Sequence, residues 1–576
     1  MSLSRRRLLA GAGAVATSAL AGCSERLWSF VEGSTTDRLS LHIKTPPQDD
    51  DPMAASIASQ LAENLQAAGI DALPEPTAKP ELFRSTLMAH DFDMFVTRHP
   101  GFDDPDALRP LLHSRLSGER GWQNPFGFSE PTVDEYLESQ LRKAGESRQE
   151  TTSDLVEYLL ETVPYTVVAF PDHVGAADSS LTVSGTPRTP IEYASILYQN
   201  SPEDREDELL RAGTFTEGMT DRLNPIAVDL EGAETVLDLL YDPLVREVDD
   251  EYVPWLAEDV SWSETDSQTE AEVTLREGTS WHDGTSLGVE DVTFTTRFLM
   301  DTSLDEGESP VPAPRYRGRR SLIEDVIEEG EGRRTLRFVF DDVPEEVARR
   351  ALTIPILPEH VWKPRSTLID EHWTEALAHD NDEPVGSGLF AFVDSTGGER
   401  LELELFEDHV IFRDGVDGHS DLFDGTPEFD GIEFRISPRA GAAVENLNDG
   451  EIDLIVGWLS PSNLEELGDD VLVTSTPTHS CYLVGFNTRK EALSNHRFRR
   501  TVARLVDREH VVSEFFGGRA TPAQTPSELL GLTEIDDEEP ADLASFPGSA
   551  GNVDEAWVRS ELESSGFHYE NGELFV

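Results

Sequence analysis

Within about thirty residues the apolar pattern of this chain changes period. LSLHIK (Leu39 to Lys44) alternates as a strand does, and AASIASQLAENLQAA (Ala54 to Ala68) carries apolar residues at helical spacing, closed by Gly69 as a C-cap. The alternation continues: FDMFVT (Phe92 to Thr97) reads as a buried strand, Thr132 to Ala144 and Asp154 to Thr162 as helices, and YTVVAF (Tyr165 to Phe170) as a strand. That is an α/β unit. The far end, SGFHYENGELFV (Ser565 to Val576), reads as a turn after a helix with a strand opening at Glu573, whose backbone donors need a partner elsewhere in the chain.

Between Ser184 and Asp221 the chain is punctuated by proline and glycine and carries the acidic run SPEDREDE, the composition of a linker. A second region begins near Leu223. Its strands are EVTLREG, TLRFVFDD, GIEFRIS, IDLIVGWL and CYLVGFN, with FAFVDST and RLELELFED paired around Gly397-Gly398. A chain of 576 residues has room for two or three core-bearing units, and its 38% apolar content supplies them.

Charge decides the class of partner. With 112 acidic and 46 basic residues the net charge is −66, a surface that repels nucleic acid and anionic lipid. Only five of the basic residues are lysine (Lys44, Lys79, Lys143, Lys363, Lys490). Acid-rich, lysine-poor surfaces suit molar salt, where screening contracts to a few ångströms, and the expectation is a halophilic protein. Residues 1–23 combine Ser4-Arg5-Arg6-Arg7-Leu8-Leu9, a small-residue apolar stretch too short to span a bilayer, and Leu20-Ala21-Gly22-Cys23. This resembles a twin-arginine export signal ending in a lipobox, with Cys23 lipidated and the rest of the chain on the extracellular face. Cys481 then has no partner, so no disulfide framework is expected.

Catalytic motifs are weak. Gly284-Thr285-Ser286-Leu287-Gly288 fits GxSxG, but WHDGT before it is too short and polar for the core strand of a nucleophile elbow, and a turn before a helix at Val289 is the plainer reading. An exported serine hydrolase using Ser286 stands as the alternative function. Scattered histidines without HExxH or paired CxxC give no metal site, and no nucleotide loop is present, so no cofactor is expected.

Further landmarks recur in a fixed order: LYDPLV (Leu240 to Val245), VPWLAE (Val253 to Glu258), LREGTSWHDGTSLGVEDVTFT, ILPEHVW (Ile356 to Trp362), VGSGLFAF (Val385 to Phe392), LNDGEIDL (Leu447 to Leu454), and VGFNT with HRFRRTVARLVDRE (Val484 to Glu509). Together they closely resemble the family 5 extracellular solute-binding proteins of peptide/nickel-type ABC transporters. The resemblance implies a type II periplasmic-binding-protein-like α/β fold with two lobes, an extra domain, a hinge and an interlobe ligand cleft. It also implies a monomer without catalysis that hands a small solute, a di- or oligopeptide among the possibilities, to an ABC permease. A surface receptor that has lost transport is the second alternative.

The order departs from the family's pattern. Its usual opening strand is here LLRAGTFTEGMTDRLNP, Leu209 to Pro225, while residues 38 to 185 resemble its C-terminal part. The expected arrangement is a circular permutation. Residues 1–23 are the signal and 24–37 a tether. Residues 38–164 and 488–576 form the C-terminal-type lobe, 165–210 join the family's usual termini, 211–245 with 385–487 form the N-terminal-type lobe, and 246–384 form the additional domain. On this arrangement Val576 and Leu39 lie together.

Peptide binders of the family hold the ligand's ammonium with an aspartate shortly before the Asp-Pro landmark, here Asp104-Pro105. The equivalent position falls near Gly101, with Arg98-His99-Pro100 before it, so the aspartate is absent unless Asp103 substitutes; Arg98 suggests an anionic or polar solute instead, pairing with surface acid being the alternative, and His99 joins the expected set. Trp122, Trp458, Tyr482 and Asn487 complete the expected ligand-binding set.

Overall fold

The computed structural model describes residues 38–202, 208–228, 233–248, 251–265, 268–329, 334–415, 425–533, 535 and 539–575. The twin-arginine segment and Cys23 lie outside them. The first lobe is built on a six-stranded sheet ordered Asp71–Pro76, Ser40–Thr45, Met94–His99, Cys481–Phe486, Tyr165–Pro171, Ala520–Pro522. Its first three strands are parallel and the rest antiparallel. Helix Pro52–Ala67 makes the parallel crossover, started by proline in the first turn and by the Asp51 side chain accepting from the Ala54 amide. Its apolar face, Ala54, Ile57, Ala58, Leu61 and Leu65, is fully buried in the core of this lobe.

The second lobe carries a seven-stranded sheet ordered Phe390–Thr396, Arg400–Leu405, Gly431–Ile436, Leu209–Thr214, Leu454–Ile455, His173–Asp178, Val471–Thr476. A third, antiparallel sheet of Ala257–Glu264, Gln268–Leu275, Asp325–Glu328 and Thr335–Asp341 is one-sided, as the alternating burial of Gln268–Leu275 requires. Leu401 and Phe434 of the second lobe share one continuous core with Ala271 and Phe338 of the third sheet, so these two parts are joined through packed side chains, whereas the first lobe has its own core.

Among the described residues the chain passes between the two large sheets twice. Asp172 alone separates Tyr165–Pro171 from His173–Asp178, and residues 477–480 separate Val471–Thr476 from Cys481–Phe486. Cys481–Phe486 thus belongs to the first lobe, although the sequence assigned residues up to 487 to the other. It pairs with Met94–His99 on one side and Tyr165–Pro171 on the other, and it is buried throughout, which a central strand must be. The stretch read as a linker contains helix Pro190–Gln199, fixed by a capping box between Thr189 and Glu192.

The closing strand finds its partner at the opposite end of the chain. Hairpin His568–Glu570 with Glu573–Phe575 docks on the first lobe, where Arg38 bridges Phe575 antiparallel, and the Leu574 amide donates to the Gly69 carbonyl at 2.9 Å. The strands meet side by side rather than end to end. Gly69 is required here: its φ is +83°, and a Cβ would stand 2.3 Å from the Gly572 oxygen. Val576 lies outside the described residues.

The glycines before Phe390–Thr396 have an equally local reason. A Cβ on Gly386 would fall 1.8 Å from the Leu240 oxygen, and the His282 ring is wedged there, accepting from the Gly386 amide at 3.2 Å and bonding the Gly388 carbonyl at 3.0 Å. His282 is therefore a scaffold residue.

Candidate functional site

Near the two crossings, side chains of the two lobes meet. On the first lobe Arg98 stands opposite Tyr482 in the antiparallel register, so their side chains share a face. Helix Pro52–Ala67 points its N-terminus at the same face, and the Tyr482 hydroxyl donates to both Asp51 oxygens, at 3.0 and 3.2 Å. From the second lobe Trp458 reaches across, with the Arg98 guanidinium carbon 3.8 Å from its ring centroid. The buried His173 ring stacks on Trp458 at 4.5 Å, and its Nε2 bonds the Val456 carbonyl at 2.8 Å.

The electrostatics of this seam are unbalanced. Burial pushes the Asp51 carboxyl above its ordinary range, against the Ala54 amide, the Arg98 charge, the Tyr482 hydroxyl and Lys79. Asp51 makes no ion pair among the described residues, and neither does Arg98, whose Nη1 is buried without a hydrogen bond. His173 is held neutral: burial lowers it to about 3, helped by Arg98 and Arg188 and opposed by the Val456 carbonyl.

The remaining expected residues lie elsewhere. His99 and Trp122 turn into the first lobe, where the His99 ring stacks on Phe102 at 4.5 Å and meets Trp122 edge-on at 4.6 Å; its Nδ1 accepts from Gly101, and burial lowers it to about 3. Asn487 is satisfied by the carbonyls of His90 and Phe92 and by the Arg489 amide, which is a structural role. Asp103 does not replace the family's aspartate. It pairs with Arg319 at 2.6 Å and Arg350 at 2.5 Å, side chains beyond the seam that hold it ionised, with its carboxyl well below the usual range despite burial.

Ser286 lies exposed in the turn before helix Val289–Met300. His360 bonds Asp283 at 2.8 Å, and Thr285 also donates to Asp283, which pins the exposed turn around Asp283 rather than activating the serine. Among the described residues no cluster of three or more metal-ligating side chains forms, and no helix is long and apolar enough to cross a membrane. Cys481 is free and buried, its thiol pushed up by burial.

Sequence reasoning missed Asp51 and His173. Asp51 closes an acidic run, Asp49-Asp50-Asp51, that reads as a helix start, and its partner Tyr482 is 431 positions away.

Residues 251–558 match the model described as bacterial extracellular solute-binding proteins, family 5 middle. The oligopeptide-binding protein AppA of Bacillus subtilis is 24% identical over 282 residues, 48% of this chain and 46% of that protein. A binding protein of Brucella abortus is 26% identical over 407 residues, 65% of this chain and 60% of that protein, so the chain spans about half to three-fifths of these curated relatives. Among solved structures, AppA in complex with a nonapeptide aligns with 18% identity and a TM-score of 0.43, over 63% of this chain and 65% of that one. NikZ from Campylobacter jejuni in complex with Ni(L-His) aligns with 18% identity and a TM-score of 0.44, over 64% and 65%. With more than half of its length matched by the family model, and with the two lobes and double crossing described above, the chain belongs to the family 5 bacterial extracellular solute-binding proteins.

Proposed function

We propose that this protein is the solute-binding component of an ABC importer, capturing a small solute or short peptide between its lobes and delivering it to a membrane permease. The observation that carries the reading is the seam itself: Asp51 and Arg98 of one lobe face Trp458 and His173 of the other, beside the two crossings where a hinge would lie. The oligopeptide-binding name of the Bacillus relative supports a peptide-like solute. The sequence of residues 1–23 supports export by the twin-arginine route and a lipid anchor at Cys23 on the extracellular face. The pinned turn around Ser286 argues against a hydrolase, and clear labelling by a fluorophosphonate probe, lost on Ser286→Ala, would overturn that part. A thermal-shift screen of peptides, amino acids, sugars and metal chelates in molar salt tests the whole. A bound solute raises the melting temperature by mass action, and a flat response across all classes contradicts the reading.

We also infer that the chain is a circularly permuted member of its family. Support comes from the first sheet, where strands from residues 40–99 and 165–171 interleave with 481–486 and 520–522, and from the seating of residues 38 and 39 against 574 and 575. The domain divisions given above belong to the same proposal, with the strand Cys481–Phe486 moved to the first lobe.

A further inference from the structure

The seam holds two opposite charges that the protein brings together and does not pair. Asp51 is oriented by the Ala54 amide at 3.0 Å and by the Tyr482 hydroxyl, and Arg98 by the Trp458 ring, yet neither joins an ion pair among the described residues. Elsewhere Asp291 and Asp301 are buried without an ion pair, but amides and a hydroxyl hold them, and Arg499 and Arg508 are bonded by carbonyls and a hydroxyl. Other buried carboxylates are paired outright. Asp103, Asp104 and Asp106 are each clasped by arginine at 2.5–2.6 Å, and Asp242 by Arg246 and His409. A partly desolvated carboxylate and guanidinium left open to one another are costly unless a bound group completes them.

We propose that Asp51 and Arg98 form a dipolar subsite for a small zwitterion, an α-amino acid, with the ammonium on Asp51 and the carboxylate on the free Nη1 edge of Arg98. This rests on the solute-binding reading and names its solute. The Tyr482 hydroxyl fixes the Asp51 oxygens, and Trp458, backed by His173, holds the guanidinium plane from the other lobe. Occupation of the subsite therefore ties the lobes together. The ammonium acceptor sits at a helix N-cap rather than before the Asp-Pro landmark, where this chain has Gly101.

Isothermal titration in molar salt with the twenty α-amino acids, and with the N-acetyl and carboxamide derivatives of the tightest one, tests this. At least one amino acid is expected to bind, with affinity falling at least tenfold when either charge is removed. Asp51→Asn preserves the helix cap. It should weaken the amino acid at least tenfold while leaving the N-acetyl derivative unchanged, and Arg98→Gln should do the same with the carboxamide as the insensitive probe. If no amino acid binds, or if Asp51→Asn binds it within twofold of the native chain, the subsite is wrong. Solutes of another class that bind both forms equally would leave the solute-binding reading standing and remove the subsite alone; no binding of any class would remove both.

Discussion

The amide of Leu39 donates to the carbonyl of Leu574 at 3.0 Å, and both side chains are buried in the first lobe. This contact between residues 535 positions apart makes a reordered chain feasible. A chain that opens at residue 208, runs to 576, continues through a short linker into residue 38 and closes at 202 should fold. Its circular dichroism spectrum should match the native one, with a melting temperature within about 10 °C, because every sheet neighbour is preserved. An insoluble or molten product would contradict the permuted arrangement.

Arg350 is the centre of the contact between the first lobe and the third domain. Its guanidinium reaches Asp103 at 2.5 Å, Asp106 at 3.3 Å and Asp104 at 3.6 Å, and Arg148 bridges Asp104 at 2.5 Å and Glu346 at 3.0 Å. Arg350→Met removes the cation that three carboxylates share and leaves each with one other arginine, Asp103 with Arg319, Asp104 with Arg148 and Asp106 with Arg109. Urea denaturation should show a loss on the order of 3–5 kcal/mol. A loss below about 1 kcal/mol would mean that the network is solvated rather than structural.

Acid should destabilise the protein through two histidines. His99 and His173 are both lowered to about 3 in the folded chain, by burial first, so between an ordinary value near 6.5 and about 3 the unfolded chain binds more protons. Their contribution is fully present above about pH 6.5 and is lost progressively as pH falls, on the order of 1.4 kcal/mol per pH unit for each. His173→Gln should therefore show a shallower decline between pH 7 and pH 5 than the native chain. Parallel declines would show that the ring is free to ionise in the fold.

Salt should act in the opposite sense to its usual effect on exposed ion pairs. A net charge of −66 repels itself over a Debye length of about 10 Å at 0.1 M salt but only about 3 Å at 1 M. The melting temperature should rise between 0.1 M and 2 M potassium chloride. A flat or falling curve would contradict adaptation of this surface to high salt.

Much of the scaffold was legible because periodicity and glycine chemistry are local. Ser40–Thr45, Pro52–Ala67, Met94–His99 and Tyr165–Pro171 all follow from apolar spacing. Asp71–Pro76 did not, since two prolines and a polar sequence hide a strand that survives only at the sheet edge, with one neighbour. The polar start of helix Gly145–Thr162 was missed for a similar reason: the partners of Arg148, Asp104 and Glu346, come from distant parts of the chain. The site was legible only in part. Arg98, Trp458 and Tyr482 do converge, but His99, Trp122, Asp103 and Asn487 resolve into packing and structural pairs. Asp51 reached the site by topology alone.

The central claim is that a solute holds the two lobes together. Spin labels on Glu63→Cys, exposed on the first lobe, and Glu399→Cys, exposed on the second, in a Cys23→Ser background, report it as an interlobe distance; Cys481 is too deeply buried to label. With a solute from the thermal-shift screen at saturation, pulsed dipolar spectroscopy should show one narrow distance population, and removing the solute should broaden it toward longer distances. Saturating binding that leaves the distribution unchanged would contradict capture between the lobes.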